Sequence, residues 1–261
     1  MAIHPTAVIE DGAELGDVVV GPYAVIGADV VLHDGVMVGS HAVIEAAVVG
    51  PGTQVGAHAV LGGAPQDLKH DPGTPTRLII GARNVFREFT SAHRGSSRGA
   101  GETRIGDDNY FMANSHVAHD CVVGNHTMFA NSVAIGGYVV VEDGAVLGGL
   151  SAVHQHARVG RLAMLGGGAM CSQDVPPFSI AQGDRARLVG LNITGLRRGG
   201  LTDPAITAIK EAWRTLFVGE LPRRLAISQV AEALGEVPEV AELLAFLRAS
   251  ARGVCRSALQ A

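Results

Sequence analysis

The sequence predicts a left-handed parallel β-helix of hexapeptide repeats followed by a small α-helical domain, and three observations carry that prediction. An apolar residue recurs every six positions through most of the chain, a small residue often follows it, and the repeat stops where helix-like segments begin. From Ile105 the series Ile105, Phe111, Val117, Val123, Phe129, Ile135, Val141, Leu147, Val153, Val159, Leu165, Cys171 keeps one register through twelve hexads. The next position is small at Gly106, Ala118, Gly124, Ala130, Gly136, Gly148, Gly160 and Gly166. A helical period of 3.6 does not give a six-residue repeat, and plain strand alternation does not place a small residue beside the apolar one so often. A short strand followed by a turn does. Three such units close a triangular coil of 18 residues, and stacked coils hydrogen-bond as parallel strands.

The N-terminal part repeats likewise, with single-residue slips. Ile3, Ile9 and Leu15 share one phase; Val20, Ile26, Leu32, Val38 and Ile44 a second; Val49, Val55 and Leu61 a third. Two segments rich in Gly, Pro or Ser break the pattern, near residues 62–76 and 93–103, and read as loops leaving the coil. Loops on a rigid solenoid often carry function. The coil is expected over residues 1–183, and residues 184–261 as a linker and a helical domain. The linker runs to about Leu201. Thr202 or Asp203 then caps a helix with Pro204 in its first turn, ending near Val218. Further helices are expected over 228–234 and 238–252, the last stopped by Gly253.

Composition narrows the class. Apolar residues make up 47% of the 261 residues, aromatics only 4%, and there are 35 glycines, which suits a narrow, regularly layered interior. No apolar run is long enough for a membrane span, and the start MAIHPTAVIEDG lacks the basic and apolar regions of a signal peptide, so a cytoplasmic protein is expected. Cys121, Cys171 and Cys255 are scattered and read as buried free thiols. Charge is uneven: residues 1–184 hold 9 Lys and Arg against 18 Asp and Glu, net −9, while residues 185–261 hold 11 against 7, net +4. A basic tail on an acidic body suggests an acidic partner at that end, or arginines that merely solvate helices. No nucleic-acid partner is expected.

The coil period lets the sequence be read vertically, because positions 18 apart lie one above another, about 4.8 Å apart. His119 then stacks under Gly137 and Gly137 under Gln155, while Asp120 stacks under Tyr138 and His156. His154 sits nearby, and His93, assigned to the second loop, reaches the same region. The patch offers no serine or cysteine with a partnered base, so covalent catalysis has no candidate. A histidine beside Asp120 can act as general base on a hydroxyl, with the carboxylate holding the ring. A glycine N–H one coil above can meet an oxyanion. That combination fits direct acyl transfer from a thioester to an alcohol or amine. The rival is zinc, as in the gamma-class carbonic anhydrases with their histidine-lined β-helices. His116 and His119 are three apart, and Cys121 and Gly124 stand where a further ligand five residues on is needed, so no metal is expected. A solenoid that only scaffolds partners is a third reading, and it has no use for the His119–Asp120–Gly137 stack.

These residues sit in longer motifs. NSHVAHDCVVGN (114–125), HRG (93–95), AVHQ (152–155), QDVPPFSIAQGDRA (173–186), GLNITGLRR (190–198) and QDLK (66–69) together resemble the lipid A acyltransferases, and within them the UDP-N-acetylglucosamine O-acyltransferase family, over nearly the whole chain. The resemblance implies a homotrimer with active sites between subunits. It implies a 3-hydroxyacyl donor carried as a phosphopantetheine thioester on acyl carrier protein, UDP-N-acetylglucosamine as acceptor, and no other cofactor. His119 would be the general base on the sugar 3-hydroxyl, Asp120 its assistant, and the N–H of Gly137 the oxyanion donor. Gln66, Asp67, Lys69, His93 and His116 would hold the sugar and its phosphates. His154 and Gln155 would line the donor side, Asn192 and Arg198 would contact nucleotide or carrier arm, and Gly167 would set acyl-chain length. Tyr138, Arg185, Thr194 and Gly199 depart from the family pattern, which leaves a 3-amino analogue of the sugar open as acceptor. The family's N-acyltransferase relatives carry a further domain ahead of the coil, whereas hexads here begin at Ile3.

Overall fold

A computed structural model describes residues 1–259. The chain winds into a left-handed parallel β-helix whose strands fall on three flat faces of eleven, nine and eight strands, here the first, second and third face. Most strands are two residues long, and the second residue of each points inward: Ile105, Phe111, Val117 and every later member of the hexad series are buried. Phe86, Phe111 and Phe129 stack up the interior with ring centroids 4.6 and 4.8 Å apart. Each coil satisfies the backbone of the next through parallel ladders, for example His116 to Ala134 to Ala152 to Met170 at 18-residue steps. The N-terminal slips are 17-residue steps, Ala2 to Val19 and Val31 to Val48.

Left-handed backbone marks the corners between faces. Tyr23, His41, His58 and Phe89 lie at first–second corners, Asp120, Tyr138 and His156 at second–third corners, and Asp108, His126 and Leu162 at third–first corners. Both loops leave at the second–third corner. One joins the strand Val60–Gly63 to Arg77–Ile80, the other Ser91–His93 to Glu102–Ile105.

The coil continues past Asp174, where the sequence pattern stops. Strand Ser179–Gln182 pairs in parallel with Met164–Leu165, and Arg187–Leu191 turns back antiparallel upon it. The expected linker therefore holds a strand and a short helix, α1 (Ile193–Arg198); neither repeats the hexad, so periodicity could not find them. Helix α2 (Asp203–Phe217) is capped by Thr202, whose hydroxyl accepts from the Ala205 N–H, and buries Ile206, Ile209, Trp213 and Phe217 along one stripe. Helix α3 (Arg223–Leu234) starts five residues earlier than expected, behind Pro222, which offers no side-chain cap to read. Helix α4 (Pro238–Arg248) ends before Gly253, because Ser250 leaves the helix to donate to Asp174. Arg161 clamps α4 to the coil through Glu242 at 2.8 Å, and Arg158 lies over the Phe246 ring. No helix among the described residues is long and apolar enough to cross a membrane.

Candidate active site

His119 and Asp120 occupy the second–third corner one coil above the second loop. Asp120 takes the left-handed backbone, φ +58°, a conformation that aspartate tolerates better than most residues. Its carboxylate is buried and fully engaged. Both oxygens accept the Ser96 N–H, at 3.0 and 3.1 Å, and one also meets His119 Nδ1 at 2.7 Å. A carboxylate only accepts, so Nδ1 carries the proton and Nε2 is left with its lone pair. The Asp120 N–H donates to the Thr103 hydroxyl at 2.8 Å.

Gly137 lies directly over the His119 ring. A Cβ at 137 would sit 2.7 Å from His119 Cε1 and 2.8 Å from Nε2, so only glycine fits above the free nitrogen. Among the described residues the Gly137 N–H has no protein acceptor. A free base and a free donor thus share one spot. Tyr138 packs edge-on to His119 at 5.3 Å, stacks on His156 at 4.6 Å, and its hydroxyl reaches Ser96 Oγ at 3.3 Å.

His93 corrects one expectation: it is not on the loop but is the last residue of the buried strand Ser91–His93, edge-on to His116 at 4.8 Å. Burial, reinforced by His116, His119 and Arg94, pushes its imidazole down to about 4. Its Nδ1 is buried without a partner, the kind of orphan a bound polar group completes. His116 binds the Ser91 hydroxyl through Nδ1 at 2.8 Å, and burial, then His119, lower its pKa. The loops are tied to each other and to the pair: the Ser97 N–H donates to His70, the Asp71 N–H to Ser97, and the Ser96 N–H to Asp120. Ser96 and Thr103 were missed from sequence. The coil register places Thr103 beneath Cys121 and Glu102 beneath Asp120, so it does not point to Thr103, and nothing local marks Ser96.

The other expected residues divide. His154 and Gln155 stand exposed on the same corner, above Gly137. Gln66 and Lys69 are exposed at the first loop's tip, where the Asp67 carboxylate accepts the Lys69 N–H. Asn192 and Arg198 are elsewhere. Asn192 is buried as the cap of α1, donating to Leu162 O at 2.9 Å and accepting from the Gly195 N–H, and Leu162 belongs to the third–first corner. Arg198 is exposed at the end of that helix. Gly167 lies at the first–second corner, exposed, with only Gly149 O at 3.5 Å from where a Cβ would be. The three cysteines are buried and free, and burial lifts the Cys121 thiol to about 12, far from nucleophilic. Among the described residues no three His, Cys, Asp or Glu side chains converge as a metal-ligand set.

Comparison with known proteins agrees in both domains. Residues 174–255 match the family model described as UDP-N-acetylglucosamine O-acyltransferase, domain 2, and residues 102–137 match the bacterial transferase hexapeptide model. The chain is 46% identical over 258 residues to an acyl-[acyl-carrier-protein]--UDP-N-acetylglucosamine O-acyltransferase of Anaeromyxobacter dehalogenans, covering 98% of this chain and 100% of that protein. It is 43% identical over 256 residues to the protein of that name from Thermodesulfovibrio yellowstonii, covering 97% and 99%. The fold matches the UDP-N-acetylglucosamine acyltransferase structure of Bacteroides fragilis with a TM-score of 0.94 at 34% identity, covering 97% and 100% of the two chains.

Proposed function

The chain belongs to the UDP-N-acetylglucosamine O-acyltransferase family, and on that premise we propose that it moves a 3-hydroxyacyl group from acyl carrier protein to the 3-hydroxyl of UDP-N-acetylglucosamine, the first step of lipid A synthesis, with His119 as base. The observation that carries the mechanism is His119 held at Nδ1 by Asp120 with Nε2 free beneath the unpartnered Gly137 N–H. Nε2 takes the proton of the sugar hydroxyl as its oxygen attacks the thioester carbonyl. The oxyanion of the tetrahedral intermediate accepts from Gly137. Collapse breaks the C–S bond, and the imidazolium returns its proton to the departing thiolate, leaving an ester and a free thiol. Asp120 balances the imidazolium charge between those steps.

The reading includes a homotrimer whose sites lie between subunits. Its support is the division of the family-matched residues: His119, Asp120, Gly137, His154 and Gln155 lie at the second–third corner, whereas Asn192 and Arg198 lie by the third–first corner of the same chain. A neighbour's third–first corner laid against this chain's second–third corner joins the two sets. The acidic acyl carrier protein docks on the basic C-terminal part. Arg223 rests over the Phe217 ring and belongs to the packing, so Arg214→Glu with Arg224→Glu is the cleaner test; the carrier KM rises and the sugar-nucleotide KM does not.

The deciding experiment incubates the protein with UDP-N-acetylglucosamine and 3-hydroxyacyl carrier proteins of graded length and reads products by mass. A base-labile ester of the sugar nucleotide is expected. No acyl transfer at any chain length, or a base-stable amide, overturns the reading.

A further inference from the structure

The two loops that leave the coil meet at Ser97, on the segment that covers Asp120. Ser97 donates its N–H to His70 Nδ1 at 3.1 Å, and its hydroxyl accepts the Asp71 N–H at 2.9 Å. A turn of the first loop presents His70, whose own N–H donates to Asp67 O at 2.9 Å. Asp71 closes the next turn, its carboxylate accepting from the Gly73 N–H and the Thr74 hydroxyl. Ser96 is fully buried, and both Asp120 oxygens converge on its N–H. From the coil above, the Tyr138 hydroxyl meets Ser96 Oγ at 3.3 Å. The chain then turns back, Gly99 N–H to Ser96 O at 3.2 Å, and passes so close to the carboxylate that a Cβ at 99 would overlap Asp120 Oδ1. A shift of Ser97 is therefore passed to Ser96 and on to Asp120.

The bond to His70 depends on protonation. A backbone N–H only donates, so Nδ1 presents its lone pair and the imidazole is neutral, with its proton on Nε2. A second proton goes to Nδ1 and sets two donors against each other. Among the described residues no carboxylate lies at ion-pair distance from the His70 ring to hold the charged form in place. The ionisable groups of both loops and of the coil corner have other partners. Asp67 accepts the Lys69 N–H, Asp71 serves its own turn, Arg94 donates to Gly62 O, Asp120 holds Ser96 and His119, and Tyr138 meets Ser96. Lys69 and Arg98 are exposed, and as cations they only disfavour a further positive charge.

We propose, resting on the roles of His119 and Asp120 given above, that His70 is a positioning residue: as a neutral acceptor it latches the first loop to the second and keeps the Ser96 N–H on Asp120. The latch opens as pH falls through the range in which an imidazole ordinarily gains its second proton, about pH 5 to 8. Asp120 then loses the donor that fixes it, and the His119 ring loses its orientation.

His70→Asn, His70→Gln and His70→Phe test this. Asn Oδ1 stands where Nδ1 stands in the imidazole, Gln places its oxygen one atom further out, and Phe has no acceptor. His70 is half-buried in a loop, so the fold should be kept in all three. Hydrogen exchange over residues 94–99, corrected for the intrinsic effect of pH, reads the latch without turnover. At about pH 8 protection should be kept in His70→Asn and fall about tenfold in His70→Gln and His70→Phe, as when a donor is left without its partner. Between about pH 8 and about pH 5.5 it should fall in wild type and stay constant in His70→Asn. His93, held down at about 4, does not titrate in that range. At the higher pH kcat should fall at least about fivefold in His70→Gln and His70→Phe, a loss of orientation, with both KM values little changed and His70→Asn close to wild type. Equal protection in all four proteins, or the same pH response in wild type and His70→Asn, overturns the latch. Protection lost with kcat unchanged, or a change confined to the sugar-nucleotide KM, overturns the positioning role. Should the protein transfer no acyl group, exchange still decides the latch, so a wrong reaction and a wrong latch give different results.

Discussion

Two corners of the same helix carry histidines around the same left-handed backbone position, which His41 and His58 occupy at one corner and Asp120, next to His119, at the other. At the first–second corner Tyr23, His41, His58 and Phe89 form an exposed ladder of rings, centroids 5.0, 4.9 and 5.0 Å apart. At the second–third corner His119 is buried, hydrogen-bonded to Asp120 and roofed by Gly137. The local conformation is shared: His41, His58 and Asp120 all have φ of +58°. What differs is what returns over the corner. Among the described residues only the second–third corner lets loops leave the coil, and the second one sets the Ser96 N–H on Asp120. Stacking alone orders rings that stay in water, whereas a loop that excludes water turns a histidine and a carboxylate into a fixed pair.

The comparison breaks most directly at its strongest point. His119→Ala should cost about 100- to 10,000-fold in kcat with the fold kept. His41→Ala and His58→Ala should stay within about twofold, a bound set by surface substitution away from the chemistry. A similar loss at either corner would remove the distinction. Gly137→Ala sharpens it, since its Cβ drives the His119 ring aside while leaving the N–H in place. A displacement of this kind costs on the order of 100-fold in kcat, and because the obstacle is a side chain the melting temperature should move little. Turnover unchanged in Gly137→Ala would mean that the ring position does not matter.

Gly167 is proposed to give the plain corner a role of its own higher up. Gly167 lies on it, open enough to accept a side chain, and is expected to let a long acyl chain pass, about fourteen carbons rather than ten. At roughly 0.8 kcal/mol per buried methylene, four methylenes separate the donors by up to a few hundredfold. Gly167→Met should reverse the preference, measured as the ratio of kcat/KM for the two donors; an unaltered ratio rejects Gly167 as the ruler. The smallest effect concerns His93. Its folded value, about 4, lies below the unfolded value near 6.5, so the unfolded chain binds the proton first as pH falls. The stabilising contribution is therefore complete above about 6.5, is lost as pH drops toward 4, and amounts to up to roughly 3 kcal/mol. Urea unfolding at pH 7 and pH 4.5 should show a smaller acid loss in His93→Gln than in wild type; equal losses would place the acid sensitivity elsewhere.

The His119–Gly137–Gln155 column was legible because a rigid 18-residue period converts sequence distance into height. That reading held wherever the coil is uninterrupted. It failed for His93, placed on a loop because its neighbours are glycine and serine, although it ends a strand. Asn192 lies beyond the repeat, and its amide caps α1. Neither placement could be read from sequence, since a loop's return path and a cap's partner are long-range facts.

By itself the sequence determined the hexad core, the three-sided coil, the two loop exits and the histidine column, because each follows from a short-range repeat that burial of one residue in six enforces. Tertiary structure alone decided which histidine is clamped and which is merely stacked, that Ser96 and Thr103 hold Asp120, and that His70 of the first loop receives the Ser97 N–H of the second. Those outcomes depend on where non-repeating segments land. Contacts between residues far apart in sequence are selected by packing and hydrogen-bond satisfaction over the whole chain, and no local pattern encodes them.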